Sequence, residues 1–219
     1  MQQLLELLTP SLALILGLAF FKRFNSFYKV LLYQVFAYVI IDCAAIIVQL
    51  LGYDNNNWLF NIVMPIEVGF LLLMVYKYFS SLISQRILLF LYSVFLFVFL
   101  IDITLVNGIQ FLANYAACLE GGIISGVCIG ILYSHFLLKR NNRIDYGIVI
   151  ASIGMLLYFA GTIPFLGMII YMQRNNITDA DNIFTIIIIP LGSLRYLLIT
   201  VSFLITGVSK KQSPFTLTN

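Results

Sequence analysis

Seven apolar runs, each close to the length that crosses a bilayer, follow one another with charged and turn-forming residues between them. They cover roughly Leu4–Phe21, Val30–Leu51, Trp58–Phe79, Ile87–Val106, Ile109–Leu138, Tyr146–Met172 and Ile183–Val208. About 20 apolar residues span the hydrocarbon as a helix, because only then does every backbone polar group find a partner inside the segment. The chain is 62% hydrophobic and 10% charged, against about 25% charged in a soluble domain. No soluble packing hides that much apolar side chain in 219 residues, so the solvent is lipid. The pattern predicts an all-α integral membrane seven-helix bundle over residues 1–208, with a polar, disordered tail over 209–219. The first run has no basic residue before it and no small-residue cleavage site after it, so it reads as a span and not a removable signal.

Direction follows from the basic residues. Lys22, Arg23, Lys29, Lys77, Arg86, Lys139, Arg140, Arg143, Lys210 and Lys211 all fall on one side of the seven runs. The other side carries Arg174 against Asp54, Asp179 and Asp181. The positive-inside rule then predicts the N-terminus outside and the C-terminus inside, and an inner (plasma) membrane location is expected. Tyr53, Trp58, Tyr78, Tyr146 and Tyr171 fall near the predicted interfaces, as aromatic belts do.

Four charges lie near mid-span: Asp42, Glu67, Glu120 and Arg195. Each costs about 2.5–3.5 kcal/mol at the bilayer centre on insertion scales. They are therefore expected to face inward, pair, lose their charge or line a wet cavity. Three acids against one base leave at least one acid protonated or in reach of water. At about 100° per residue, Asp42 shares a face with Tyr38 and Gln49, Tyr158 with Thr162, and Arg195 with Ser202 and Thr206. These stripes are expected to converge on one ligand- or proton-binding site of Asp42, Glu67, Glu120, Arg195, Tyr38, Tyr158 and Ser202. The expected ion pair joins Arg195 to Glu67, Glu120 or both, since the guanidinium fork makes several bonds. Arg195 would then bind an anionic group or hold the acids. Asp102 and Glu6 sit near outer helix ends and are expected to be solvated or to line the same cavity's mouth.

Pro65 and Pro190 each remove a backbone donor and are expected to kink spans three and seven, freeing carbonyls beside Glu67 and Arg195. Both follow an outside loop by a similar distance, which raises a 3+1+3 parallel repeat as a reading of the whole chain. In span five, Gly122, Gly126 and Gly130 form a small-residue ridge that lets another helix approach closely. Internal packing is its expected use, with an outward, dimerising ridge the alternative. His135 has no second histidine or cysteine pair near it and reads as interfacial. Cys43, Cys118 and Cys128 lie in apolar runs without C-x-x-C spacing. No metal and no cofactor is expected.

Several classes fall away. No H-E-x-x-H, G-x-S-x-G or nucleotide loop is present. The basic residues are spread over loops, which is a topology signal and not a nucleic-acid surface. A retinal protein needs a lysine in span seven, where Arg195 stands. The Tyr76-Lys77-Tyr78 run is not the acidic-Arg-Tyr signature of a G-protein-coupled receptor. Small sugar carriers share the span count, but their proline-glutamine loop is missing. Leu59-Phe60-Asn61-Ile62, Pro65-Ile66-Glu67 and Phe70 resemble the third span, L-F-N-I-x-x-P-I-E-x-x-F, of a group of small bacterial seven-helix membrane proteins. That resemblance implies the seven-helix membrane fold over the whole chain and brings no activity with it. The expected function is a small-molecule- or lipid-binding sensor or receptor subunit without an output domain. It would act through a homodimer or a membrane or cytoplasmic signalling partner. A proton-coupled carrier of a small solute is the alternative, and an intramembrane lipid-acting enzyme, with Asp42 or Glu120 as general base, is the third reading.

Overall fold

The computed structural model describes residues 2–52, 56–79, 84–106, 108, 111–136, 145–174 and 184–208. The Asp54 loop, the Lys139–Arg143 loop, Asp179 and Asp181, and the tail after Val208 lie outside them. Seven α-helices account for nearly all described residues: α1 (Gln2–Ala19), α2 (Ser26–Leu50), α3 (Asn57–Phe79), α4 (Gln85–Ile101), α5 (Asn114–Phe136), α6 (Tyr146–Arg174) and α7 (Ile189–Val208). A π-helical turn, Asp102–Val106, extends α4, and another, Phe184–Ile188, leads into α7.

Local chemistry explains where helices begin. Asn25 accepts from the Tyr28 amide at 3.2 Å and starts α2. Ser84 accepts from the Arg86 amide at 3.3 Å and starts α4. Asp145 accepts from the Ile148 amide at 3.2 Å and starts α6. Each side chain satisfies one of the amides that a helix N-terminus leaves without a partner. At the other end of α2, Gly52 turns the chain with φ at 84°, a left-handed conformation that suits glycine.

Six helical stretches are long and apolar enough to cross a membrane: Ser26–Leu50, Asn57–Lys77, Gln85–Val106, Asn114–Phe136, Tyr146–Met168 and Ile186–Val208. The first expected span falls on α1, in which Leu7–Ala19 is a shorter apolar helical stretch among the described residues. Large apolar side chains such as Ile15, Phe36, Ile47, Phe90, Phe97, Ile129, Leu157 and Leu197 point away from the bundle. Water-facing surfaces do not carry apolar cover so extensive, and a multi-pass membrane protein requires it.

The helices pack in sequence order into a closed ring, with α1 contacting both α2 and α7. α3 and α5 also touch directly, and α4 packs against both from outside. The main core runs through the ring, with Leu31, Leu71, Ile124, Met155, Ile199 and Phe203 among its buried members. A smaller cluster around Val68, Phe95, Phe99 and Ala116 holds α4 on the flank.

The two prolines play different parts. Pro65 lies inside α3, and its carbonyl accepts from the Tyr92 hydroxyl of α4 at 3.2 Å. Pro190 lies where the π-helical turn Phe184–Ile188 passes into α7, within one continuous helical stretch. Pro10 and Pro164 lie inside α1 and α6.

Candidate functional site

Glu67 is carried into the bundle interior by α3 two residues after Pro65, and it is 2% exposed. One of its oxygens, Oε1, accepts from two helices at once. The Gln34 amide of α2 donates at 2.7 Å and the Arg195 guanidinium of α7 donates at 2.6 Å. This ties α2, α3 and α7 through a single carboxylate oxygen. A charge-assisted bond of this length, shielded from water, is among the stronger links a protein makes.

Arg195 is itself 2% exposed. The rings of Tyr38, Tyr158, Phe159 and Tyr196 surround its guanidinium, with centroids 4.8 to 5.2 Å from the central carbon. Aromatic faces attract a cation, and the attraction grows when water is excluded. Glu67 and this cage hold the guanidinium, while its buried Nε has no hydrogen-bond partner. Of the two roles expected for Arg195, the geometry realises the holding of an acid.

Glu120 enters from α5, 5% exposed, with its carboxyl in hydrogen-bonding reach of Glu67. Its Oε1 is buried without a hydrogen-bond partner. Asn114, two turns earlier on the same helix, likewise has a buried Oδ1 without a donor. The charge pair and these acceptors lie on the wall of one cavity of about 460 Å³. Its lining includes Tyr38, Asp42, Glu67, Asn114, Glu120, Tyr158 and Arg195, and its rim carries Gln49, Asn56 and Asn57. Six of the seven expected site residues therefore converge, including the α2 stripe of Tyr38, Asp42 and Gln49 and the α6 stripe of Tyr158 and Thr162.

Ser202 is the exception. It is 0% exposed and off the cavity wall, two turns beyond Arg195 in the packed core. Shared helical face predicted the direction of its side chain, but the cavity ends at the level of the ion pair. Asp102 is also corrected: it is 1% exposed, and its Oδ2 accepts from the Ala116 amide at 2.9 Å, at the start of α5. A carboxylate at that position caps the helix and meets the positive end of its dipole. The expectation that the glycine ridge packs inside the chain also fails. A Cβ added at Gly122, Gly126 or Gly130 would meet nothing, so the ridge faces outward, opposite Glu120.

Two site residues escaped the sequence reading. Gln34 was overlooked as a neutral polar side chain, although an amide inside an apolar span needs a partner as a charge does. Asn61 donates to the Phe111 carbonyl at 2.8 Å and accepts from the Ala113 amide at 2.9 Å, pinning the start of α5 against α3. That bridge sets the height of Asn114 and Glu120 on the cavity wall.

At the opposite end the interior is closed. Phe24 and Tyr28 pack against Phe203 with centroids 5.0 and 6.5 Å apart. The Tyr28 hydroxyl donates to Asp145 Oδ1 at 2.6 Å, His135 Nε2 accepts from the Asp145 amide at 3.1 Å, and Arg23 donates to the Gly207 carbonyl. Among the described residues no cluster of three His, Cys, Asp or Glu side chains could hold a metal ion. Chemically, the cavity offers carboxyl oxygens, one enclosed guanidinium and aromatic faces, a set suited to binding and to holding a proton.

No protein-family model, curated protein or solved structure matches the chain.

Proposed function

We propose that the protein is a multi-pass inner-membrane receptor or sensor subunit that binds a small molecule in its interior cavity. One observation carries the reading: a cavity of about 460 Å³ reaches the buried Glu67–Arg195 pair from one end of the bundle, while aromatic packing closes the other. Intramembrane charges on a cavity wall are functional by default, and partly enclosed spaces of this size suit small ligands. Lys22, Arg23, Lys77 and Arg86 belong to the closed end, so the positive-inside rule turns the cavity mouth outward. A bound state would reach a partner through the inner loops or the outward glycine ridge of α5.

The test is a ligand screen by thermal unfolding of the detergent-purified protein, run beside the cavity-filling variant Gly192→Phe. A Cβ at Gly192 has only the Tyr158 ring edge near it, at 3.6 Å. Compounds that stabilise the parent chain and not the variant support the reading. Compounds that stabilise both equally act elsewhere.

One observation favours a second reading, a proton-coupled carrier. Glu67 and Glu120 lie close enough to share a proton, and such a pair could load and release one during transport. Solute-driven proton uptake into proteoliposomes, lost in Glu120→Gln, distinguishes a carrier from a receptor.

A further inference from the structure

The floor of the cavity offers hydrogen bonds of both kinds. Arg195, Tyr196 and Glu120 all line it, and Arg195 Nε, the Tyr196 hydroxyl and Glu120 Oε1 are buried without partners. The first is a donor, the second donates or accepts, and the third is an acceptor. They gather around Glu67, which accepts from the guanidinium Nη2 at 2.6 Å and lies in hydrogen-bonding reach of Glu120. The Tyr196 ring centroid is 5.2 Å from the guanidinium carbon. Native interiors seldom leave such atoms unpaired, and an occupant that pairs donor and acceptor together is matched to this floor. Asn114 Oδ1 is a further unpaired acceptor, on the same wall about 9 Å nearer the mouth by the rise of α5.

Charge argues against an ion of either sign. Two carboxyls that hydrogen-bond to each other hold one proton between them. Glu67, Glu120 and Arg195 are then neutral as a group. The shared proton lies between the facing oxygens, so Glu120 Oε1 stays an acceptor. Asp42, about two turns nearer the mouth than Gln34 on α2, has a partner of its own and sets no demand for a counter-ion. An anion would suit Arg195 Nε and oppose Glu120 Oε1, and a cation would do the reverse. Either would also give up its hydration on entry. A carboxamide carries an N–H beside a carbonyl that accepts two hydrogen bonds, and it carries no charge. Above the floor the wall is apolar at Phe60, Met64, Leu112 and Leu166.

We infer that the cavity binds a neutral amide with an apolar body, its carbonyl accepting from Arg195 Nε and the Tyr196 hydroxyl and its N–H donating to Glu120 Oε1. This rests on the reading of the cavity as a ligand site and names the class of ligand. The polar edge lies on the floor beside Glu67, and the apolar body fills the space toward the mouth.

The test uses the full-length protein in detergent and a set of matched probes. Phenylacetamide and cyclohexanecarboxamide are each compared with the amine, the carboxylate and the hydrocarbon of matching skeleton, by thermal shift and calorimetric titration. The inference expects the amides to bind and the other members to bind at least tenfold more weakly. Glu120→Gln keeps an acceptor in place and should hold amide affinity within about threefold, whereas Glu120→Leu removes it and should weaken binding roughly threefold to tenfold, the range of a lost neutral hydrogen bond. Tyr196→Phe should act like Glu120→Leu. Tyr33→Phe, on the outward face of α2, should leave binding unchanged. A loss in Glu120→Gln as large as in Glu120→Leu would mean that the carboxyl's charge holds the occupant, and would overturn the inference. If an amine or carboxylate binds as tightly as its amide and Gly192→Phe abolishes that binding, the cavity is a ligand site and the neutral assignment is wrong. If no amide binds while the broader screen yields a compound sensitive to Gly192→Phe, the assignment falls alone. If neither binds, both readings fall. Should Glu120→Leu not fold, Tyr196→Phe, which removes only a hydroxyl, gives the same discrimination.

Discussion

The two ends of the bundle use similar side chains to opposite effect. At the closed end hydrogen bonds tie segments together: Tyr28 donates to Asp145, His135 accepts from the Asp145 amide, and Arg23 reaches the Gly207 carbonyl. Glycine there makes room for rings. A Cβ at Gly207 would run into Phe20, and one at Gly147 into Tyr28 and Thr206. At the cavity end the aromatic rings surround a cation, acceptors on the wall lack donors, and Gly192 borders open space. Tight aromatic packing and hydrogen bonds between segments mark one end, and a cavity lined by buried polar groups marks the other.

The largest effect that could break this contrast is at its midpoint. Arg195→Ala leaves Glu67 buried without its cation, at a cost of about 3–5 kcal/mol. Most of the folded, monodisperse protein should be lost in size-exclusion and thermal-unfolding measurements. The double variant Arg195→Met with Glu67→Leu removes both charges and should recover much of that loss. Failure of the double variant to recover would show that the pair does more than neutralise itself.

Next comes the glycine contrast. Gly207→Ala and Gly147→Ala overpack the closed end and should cost about 1–3 kcal/mol each, read as a lower unfolding midpoint. Gly192→Ala should change it little. Equal losses at Gly192 and Gly207 would erase the distinction between the two ends. A smaller effect is expected from Tyr28→Phe, which removes the hydroxyl bonded to Asp145. It should cost about 1 kcal/mol. Smallest is Gly126→Ala, on the outward ridge of α5. It should leave the stability of the isolated protein within about 1 kcal/mol, helix propensity favouring alanine. A marked loss there would mean that another helix covers the ridge.

Most of the bundle was legible in the sequence because lipid imposes one rule on every span, and apolar length reveals it. The convergence of Asp42, Glu67, Glu120 and Arg195 was legible for the same reason: a charge inside a span must turn away from lipid. What could not be read is where the cavity ends. Ser202 shares the face of Arg195, yet it lies beyond the floor that Glu67, Arg195 and their aromatic cage create together. Helical periodicity gives an angle, whereas the floor depends on contacts among four helices. Asp102 escaped for a related reason. Its partner is the Ala116 backbone amide, and a π-helical turn sets its direction.

Thiol accessibility tests the one-sided cavity most directly. In a background lacking Cys43, Cys118 and Cys128, single cysteines are placed at Gly192 on the cavity wall and at Ser202 and Thr206 beyond the ion pair. The account predicts that a membrane-impermeant thiosulfonate labels Gly192→Cys from the side bearing Asn57, and from that side alone. Ser202→Cys and Thr206→Cys should resist the reagent from either side. Labelling of Ser202→Cys as fast as Gly192→Cys, or labelling of Gly192→Cys from the side bearing Arg23, would contradict it.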